Sequence, residues 1–465
     1  MKRIRLNVTG LVQLARPEFV TGVLKPRLWQ FPAVVLRQSC AICLCILLLS
    51  AGCLPHTSTP LPTLTLSPLV TVAPTVARTP TVTSTPMSSL TTLTLWVPDF
   101  LDPFGETEAG ALLLNHLQTF SLSNPDVQVQ VQVKAASGPG SLYNLLRTAY
   151  TAAPAVLPDL VLLNYTQLQE AAHEGFIRPL PPALVDASDY YSFTLQSAQV
   201  AGQVYGLPLL TQIEQTVYHA EVTETPPVSW TVVLTGSYSL LFPAGPLDGL
   251  ASDALLLAYR GAGGAVVDES GKPTLDRARL EDLYRFFGTL VEADLLQPEL
   301  VLGLPDAEAC WAHYQEGVGQ LSIVPAGSYW AVRPAGARPG WIPTPSGQII
   351  AQGRMWAIAI VSQTSERQPQ ALALAEWLAQ PEQTVDLAML ARRLPARRSA
   401  VDLLALSRED RQFLESLMNA AELPLPEAVD IPVRTALQAG LEALLRQQVE
   451  SPEAAATYAL TVLRR

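Results

Sequence analysis

The stretch NPDVQVQVQVKAASGPGSLYNLLRTAYTAAPAVLPDLVLL, residues 124–163, decides the fold class. Within it, residues 127–133 alternate strictly between Val and Gln, which predicts a strand with one buried face. Residues 158–163 form a continuous apolar run, typical of a central parallel strand that is covered on both sides. A Gly-Pro-Gly turn and an amphipathic helix separate the two strands. With a preceding strand at 93–100 and a helix at about 107–122, this succession predicts a parallel α/β layer.

The rest of the body continues with helices and strands and contains no tandem repeat. GQVYGLPLL, residues 202–210, predicts a turn followed by an extended segment. AVVDESGKPTLD, residues 265–276, predicts a hairpin around Ser270-Gly271, and an amphipathic helix follows at 277–295. WAIAIVS, residues 356–362, predicts another strand.

Charge and cysteine are unevenly distributed along the 465 residues. Residues 1–52 carry seven Lys or Arg and one acid, so that the remainder of the chain has a net charge of −17. A body this acidic argues against nucleic-acid binding, which requires a basic face. The body also holds a single cysteine, Cys310, which has no partner for an intramolecular disulfide and no CxxC pair for zinc. We expect Cys310 to be a buried apolar residue.

The N-terminal segment has the three-part form of a secretory signal. A basic start precedes an uncharged apolar run at 39–49, and Ser50-Ala51-Gly52-Cys53 follows. The uncharged stretch is shorter than the roughly 20 residues that span a bilayer, so a leader is favoured over a permanent anchor. The tetrapeptide resembles the lipobox of bacterial lipoproteins, although Ser50 stands where Leu is usual. The resemblance implies a signal peptide over 1–52 and a diacylglyceryl thioether on Cys53. The alternative is an ordinary secreted signal with an incidental cysteine.

A Thr- and Pro-rich segment follows the cysteine. Residues 54–92 contain seven Pro, twelve Thr and five Ser, and Arg78 is their one charge. Such a composition provides too little apolar periodicity for a core and predicts a disordered tether over 53–92. Fully extended, it would reach on the order of 100 Å.

The order of motifs in the body resembles the sugar-type extracellular solute-binding proteins, the maltose-binding-like lipoproteins that serve ABC importers. The most specific match is WAIAIVSQTSERQPQALALAEWLAQPEQ, residues 356–383, with LPARRSA after it. The other matching blocks are NPDVQVQVQV (124–133), PDLVLLNYTQLQEAAHEGFIRPL (158–180), YGLPLLTQIEQTVYH (205–219), GGAVVDESGKPTLD (263–276) and YQEGVGQLSIVPAGSYW (314–330). Each block is weakly specific, but their order matches the family over essentially all of 93–465.

This resemblance implies an α/β, two-lobe periplasmic-binding-protein-like fold of type II with hinge crossovers. We expect lobe one at 93–207 and 341–395, and lobe two at 208–340 and 396–465. It further implies a lipid-anchored, extracytoplasmic protein that captures a small solute, expected to be a carbohydrate, by hinge closure and delivers it to ABC permease subunits. The expected partners are therefore the solute, the permease and the membrane, without nucleic acid.

A sugar site needs aromatic platforms and planar polar groups that pair with every buried hydroxyl. By resemblance, Tyr218 and Trp330 correspond to a cleft Tyr and a cleft Trp. Other expected contacts lie beside Trp330, past the ends of strands, or before the last helices: Tyr329, Asn164, Tyr165, Trp96, Asp99, Trp356 and Asp430. Glu214 is expected to be a solvated or hinge-side carboxylate.

Because the chain departs from the maltose-binding subgroup at two places, the expected fold does not imply a maltodextrin ligand. Leu163 and Thr166 stand where that subgroup has Trp and Asp, and Asp430 stands near its final aromatic pair. A different sugar, a polyol or a charged small molecule remains open, as does a fold that has lost binding.

The sequence contains no motif of an enzyme. There is no HExxH and no GxSxG, SGPGS lacks the Lys of a phosphate-binding loop, and the five His are scattered. We therefore expect no catalytic residues, no metal and no cofactor. The alternatives are a surface adhesion or assembly protein on a degenerate binding fold and, less favoured, a polysaccharide-acting enzyme with paired carboxylates.

Overall fold

A computed structural model describes residues 90–223, 225–361 and 367–465. The predicted leader, Cys53 and nearly all of the predicted tether lie outside these residues. No helix in the described part of the chain combines the length and the apolar character needed to cross a membrane.

The described residues form strands and helices in the alternation that the sequence predicts. The strands are β1 (Thr91–Pro98), β2 (Val127–Lys134), β3 (Leu160–Asn164), β4 (Gln199–Val200), β5 (Gln203–Val204), β6 (Gly206–His219), β7 (Leu240–Leu241), β8 (Leu321–Pro325), β9 (Ala337–Gly340), β10 (Ala351–Ile360), β11 (Leu394–Pro395) and β12 (Ala421–Glu422). The helices are α1 (Glu108–Ser123), α2 (Leu142–Ala152), α3 (Tyr165–His173), α4 (Ser192–Ser197), α5 (Trp230–Thr235), α6 (Asp253–Gly261), α7 (Arg277–Glu292), α8 (Pro298–Val301), α9 (Ala307–Gln315), α10 (Ala326–Val332), α11 (Gln368–Leu378), α12 (Pro381–Leu390), α13 (Arg398–Asp402), α14 (Arg408–Ala420), α15 (Glu427–Leu445) and α16 (Pro452–Leu463).

The predicted parallel layer is present. β1 pairs in parallel with β2 on one side and with β3 on the other; α1 connects β1 to β2, α2 connects β2 to β3, and α3 follows β3. β3 is buried along residues 160–163, and the Val residues of β2 are more buried than its Gln residues. Both patterns follow from the spacing of apolar residues in the two strands.

The sheet continues beyond β3 through two antiparallel strands. Its order is β2-β1-β3-β10-β6-β8-β7. β10 begins at Ala351, five residues before the predicted start of that strand, and ends at Ile360. β6 runs from Gly206 to His219, well past the predicted extended segment at 202–210. Ser362, the last residue of the predicted strand, lies outside the described residues.

Helix starts follow the capping residues in the sequence. Asn164 ends β3 and caps α3: its side chain accepts from the N–H of Gln167, whose own side chain reaches back to the Asn164 N–H. Thr107, Ser252 and Asp276 accept in the same way at the starts of α1, α6 and α7.

The core divides into three apolar clusters. Cluster one gathers residues from 93–210 and 355–388, and cluster two gathers residues from 218–350 and 429–459. Cluster three lies around β6, β8, α9, α10 and α14. Clusters one and two therefore each combine distant segments of the chain, as the expected lobes do; the exact lobe boundaries stay a prediction.

Candidate functional site

Strand β6 carries the chain from one apolar cluster to the next. Its residues 206–213 pair with β10, whereas residues 214–218 pair with β8. We call residues 212–215 of β6 and 352–354 of β10 the crossover. Because successive strand residues point to opposite sides of a sheet, Glu214 and Tyr218 share one face and Gln215 takes the other.

Charged side chains meet on the Glu214 face of the crossover. Asp253, the first residue of α6, is 6% exposed, and Arg354 donates to both of its oxygens, with Nη2 2.7 Å from Oδ1. The Nη2 of Arg434 lies 2.5 Å from Asp253 Oδ1. Arg434 also donates from Nε to Asp430 Oδ1 at 2.7 Å and from Nη1 to the Ala251 carbonyl at 3.0 Å. Two guanidiniums are thus paired with two carboxylates.

The ionised state of Asp253 is maintained by its partners. Burial alone would raise its pKa, but Arg354 and Arg434 hold the pKa of Asp253 below its usual value. The N-terminal position in α6 also favours a negative charge.

Glu214 lies beside this pair and has a different environment. It is half-buried, and its Oε2 accepts from the backbone N–H of Ala254 at 2.9 Å. Burial and the neighbouring charge of Asp253 raise the pKa of Glu214 to about 8, although Arg354 and Arg434 act in the opposite direction. We call Glu214, Asp253, Arg354, Asp430 and Arg434 the hinge cluster.

Aromatic and polar groups meet at the adjoining edge of the sheet, which we call the aromatic edge (Phe100, Asn164, Tyr165, Trp356 and Arg393). Trp356 lies opposite Asn164 in the antiparallel β10–β3 pair. The ring of Phe100 meets Trp356 edge-on, with ring centroids 5.1 Å apart, and the Arg393 guanidinium lies 5.2 Å from the Phe100 centroid. β1 and β3 end here, and ligands of open α/β sheets bind beyond such carboxyl ends.

Three of the expected site residues belong to this edge, and a fourth, Asp99, directly precedes Phe100. Asn164 and Trp356 are cross-strand neighbours, and Tyr165 follows Asn164 as the first residue of α3. Burial raises the pKa of Tyr165. Asp99 is exposed at the start of a short 3₁₀ helix and accepts from the N–H of Phe100 at 3.0 Å. Trp356 itself is 8% exposed and is largely packed against its neighbours.

The other expected aromatic residues are buried in separate clusters. Trp96 packs into cluster one under Lys134, whose Nζ lies 5.0 Å from its ring. Tyr218 belongs to cluster two, whereas Tyr329 and Trp330 belong to cluster three. Trp330 donates from Nε1 to Gln215 at 3.2 Å, on the face of β6 opposite to Tyr218. Tyr218 and Trp330 therefore belong to different clusters.

The hinge cluster contains one expected residue and four that the sequence did not single out as contacts. Asp430 is present, bound to Arg434, and Glu214 is at the hinge, one of the two environments expected for it. Asp253, Arg354 and Arg434 are distant in sequence, and no short motif joins them. An acidic residue within a strand that carries no other charged side chain, as in QIEQTVY (212–218), is the one signal that pointed to this place.

Comparisons with known proteins bear on the family and the fold. The sequence matches the family described as bacterial extracellular solute-binding protein over residues 118–413, more than half of the chain. No curated protein sequence matches the chain.

Several solved structures share the fold at low sequence identity. A maltose-bound MalE3 of T. maritima is 18% identical, with a TM-score of 0.61 over 80% of this chain and 99% of that one. The GacH receptor of Streptomyces glaucescens is 17% identical, with a TM-score of 0.59 over 80% and 97% of the two chains. An ABC transporter solute-binding protein of Thermotoga lettingae, bound with α-D-tagatose, is 16% identical, with a TM-score of 0.60 over 80% and 98%.

At these identities the structural likeness establishes the fold, which is the two-lobe periplasmic-binding-protein fold that the order of motifs predicted. The family match establishes the relationship by sequence. The chain belongs to the bacterial extracellular solute-binding protein family.

Proposed function

We propose that the protein is a lipid-anchored, extracytoplasmic receptor that captures a small carbohydrate by hinge closure and delivers it to an ABC importer. The observation that carries this proposal is the crossover, where β6 and β10 connect the apolar clusters beside an edge of aromatic and polar groups. A bend at such a place moves whole clusters against each other with few changes in dihedral angles.

The chemistry of the aromatic edge supports a carbohydrate. Phe100 and the small exposed part of the Trp356 ring offer apolar surface for the C–H face of a sugar, while Asn164, Tyr165 and Asp99 offer hydrogen-bonding groups for its hydroxyls. Structural neighbours described as bound with maltose, acarbose or α-D-tagatose are consistent with this class of solute. The individual sugar is left to the experiment below.

The contacts expected from Trp96, Tyr218, Tyr329, Trp330 and Asp430 remain part of the proposal. The first four are nearly covered by protein in this conformation, so their contact with a solute requires that the surrounding clusters shift. Asp430 could contact a solute only through the part of its carboxylate that is not bound to Arg434. We rank the aromatic edge above these five residues for that reason.

The location and the partners follow from the leader and the family. Acylation of Cys53 would hold the body at the extracytoplasmic surface of the cell membrane through its tether, where two or three acyl chains contribute roughly 0.8 kcal/mol per buried CH₂. From there the loaded receptor would dock on ABC permease subunits.

Thermal unfolding against a panel of sugars, polyols and phosphosugars tests the proposal. A ligand that binds the native state raises the melting temperature, in accord with a stabilisation of RT ln(1 + [L]/Kd). We expect at least one sugar to do so in the wild type and to lose its effect in Trp356→Ala. The matched control is Trp377→Ala in α11, which removes a ring packed against Phe120 and should leave binding intact.

Other outcomes of the panel discriminate among the alternatives. Conversion of an oligosaccharide into products during the assay would indicate the polysaccharide-acting enzyme. No response to any small solute would overturn the proposed receptor in favour of the adhesion or assembly protein.

A further inference from the structure

The hinge cluster holds more acidic than basic groups. Arg354 and Arg434 are its two cations, and Asp253 and Asp430 are paired with them. If Glu214 were ionised as well, the cluster would carry an unbalanced negative charge next to Asp253. The side chain of Arg434 is 3% exposed and that of Asp253 7% exposed, so solvent compensates such a charge poorly.

A second observation concerns Gln352 on the neighbouring strand. Its Nε2 lies 3.4 Å from Asp253 Oδ1, whereas its Oε1 is buried and has no hydrogen-bond partner. A buried carbonyl oxygen without a donor is costly and uncommon in folded proteins.

The register of the strands places Gln352 next to Glu214. Gly353 is the last β10 residue that pairs with β6, opposite Ile213, and a continuation of that register would set Gln352 across from Glu214 on the same face. Both side chains also reach the start of α6, Gln352 through Asp253 and Glu214 through Ala254.

We infer that Glu214 carries a proton at neutral pH and donates it to the Oε1 of Gln352, which forms a neutral hydrogen bond between the two crossover strands. With Glu214 protonated, the hinge cluster contains two cations and two anions. The Glu214 proton also provides a donor for the Gln352 oxygen that otherwise has none. Glu214 is then a positioning residue: it holds Gln352 against Asp253, and Asp253 holds Arg354 beside the aromatic edge.

The groups around Glu214 do not offer another source of neutralisation. Asp253 of α6, Arg354 of β10, and Asp430 and Arg434 of α15 are already paired with one another. Cys310 of α9 is buried, and burial raises the pKa of its thiol, so it stays uncharged.

The sign of the pH dependence follows from the raised pKa. The folded protein retains the Glu214 proton up to a pKa of about 8, whereas the unfolded chain loses it near the ordinary value of 4.5. This contribution to stability is therefore complete below the unfolded pKa and is lost as the pH rises through the folded one. Unfolding at pH 7 should release about one proton from this residue.

Two measurements on the wild type and Glu214→Gln test the inference. The infrared spectrum of the wild type at pH 7 should contain the band of a protonated carboxyl group. This band should be absent from the spectrum of the variant, and it should disappear from that of the wild type as the pH passes 8. Calorimetric unfolding at pH 7 in buffers of different ionisation enthalpy should show about one proton fewer released by the variant. Glu422→Gln, an exposed partner of Arg260 close to the crossover, is the control that should change neither quantity.

A wild type without that band at pH 7 would overturn the inference, as would equal proton release by wild type and Glu214→Gln. Gln352→Met provides a second variant: removal of the acceptor should shift the band to higher wavenumber, and an unmoved band would show that Gln352 is not the acceptor. None of these measurements uses a solute, so they are independent of whether the proposed receptor function holds.

Discussion

Asp253 illustrates how a single carboxylate can organise a site built from distant parts of the chain. It is paired with Arg354 on a strand and Arg434 on a helix, which lie more than 100 residues away in sequence. A buried pair of this kind contributes little net stability relative to apolar residues, but removal of one partner leaves the other charge uncompensated.

We therefore predict that Asp253→Asn lowers the free energy of unfolding by about 3 kcal/mol, since Arg354 and Arg434 lose the buried carboxylate that they share. Urea denaturation at neutral pH measures the change. The control, Glu422→Gln, breaks an exposed ion pair with Arg260 and should cost less than about 1 kcal/mol. Equal losses in the two variants would contradict the role given to Asp253.

At the scale of single residues, the sequence predicts that an aromatic side chain is packed in a core better than it predicts which side chains surround it. Trp377 stands on an apolar helical stripe in the sequence, and its ring packs against Phe120. The placement of Trp330 depends on which face of β6 the Gln215 side chain takes, and on the packing of α14 over that face. Such contacts between segments leave no periodic signal in the sequence.

At the scale of elements, close contacts in the crossover limit which residues it tolerates. A Cβ on Gly353 would overlap the ring of Phe193, which packs under β10. Gly288 lies in the middle of α7, and the nearest atom to a Cβ there would be Pro452 Cγ at 4.0 Å. A methyl group therefore has room at Gly288 but not at Gly353.

We predict that Gly353→Ala destabilises the protein by about 1–3 kcal/mol through overpacking. Gly288→Ala should instead stabilise it by about 0.5–1 kcal/mol, since alanine is the better helix former. Thermal or urea unfolding of both variants provides the test. Stability in Gly353→Ala equal to that of the wild type would show that the β10–α4 contact is looser than described here.

Elements with a clear hydrophobic period were predicted well. The start of β2, and α1 to within one residue at either end, follow from the sequence, because one buried face dictates where apolar residues recur. β6 was predicted too short. Its second half carries Gln212, Glu214 and Gln215 among apolar residues, and those polar side chains are accommodated only by partners from the rest of the fold.

At the scale of the whole molecule, the leader gives a prediction about location. We expect Cys53→Ala to move the protein from the membrane fraction to the soluble extracytoplasmic fraction, because the acyl chains attach to that thiol. Incorporation of a labelled fatty acid by the wild type and its absence in the variant measure the modification directly. Cys310→Ala, which changes a buried thiol of the body, should retain the label.

The architecture of the molecule could be predicted from the order of weakly specific motifs, whereas the lobe boundaries and the identity of the solute could not. Seven blocks in the family's order specify two α/β lobes, because the order of elements determines which strands can meet. The specificity of the site depends on a few side chains around the crossover, and these vary without any change in the order of elements.

The claim that two lobes close about the crossover is tested most directly by an interlobe distance. Spin labels at Ser123→Cys in α1 and Ala293→Cys after α7 would report it by pulsed electron resonance, since both positions are exposed. We predict that a sugar which raises the melting temperature also narrows and displaces the distance distribution, and that Trp356→Ala abolishes the effect. An unchanged distribution in the presence of a sugar that demonstrably binds would contradict hinge closure.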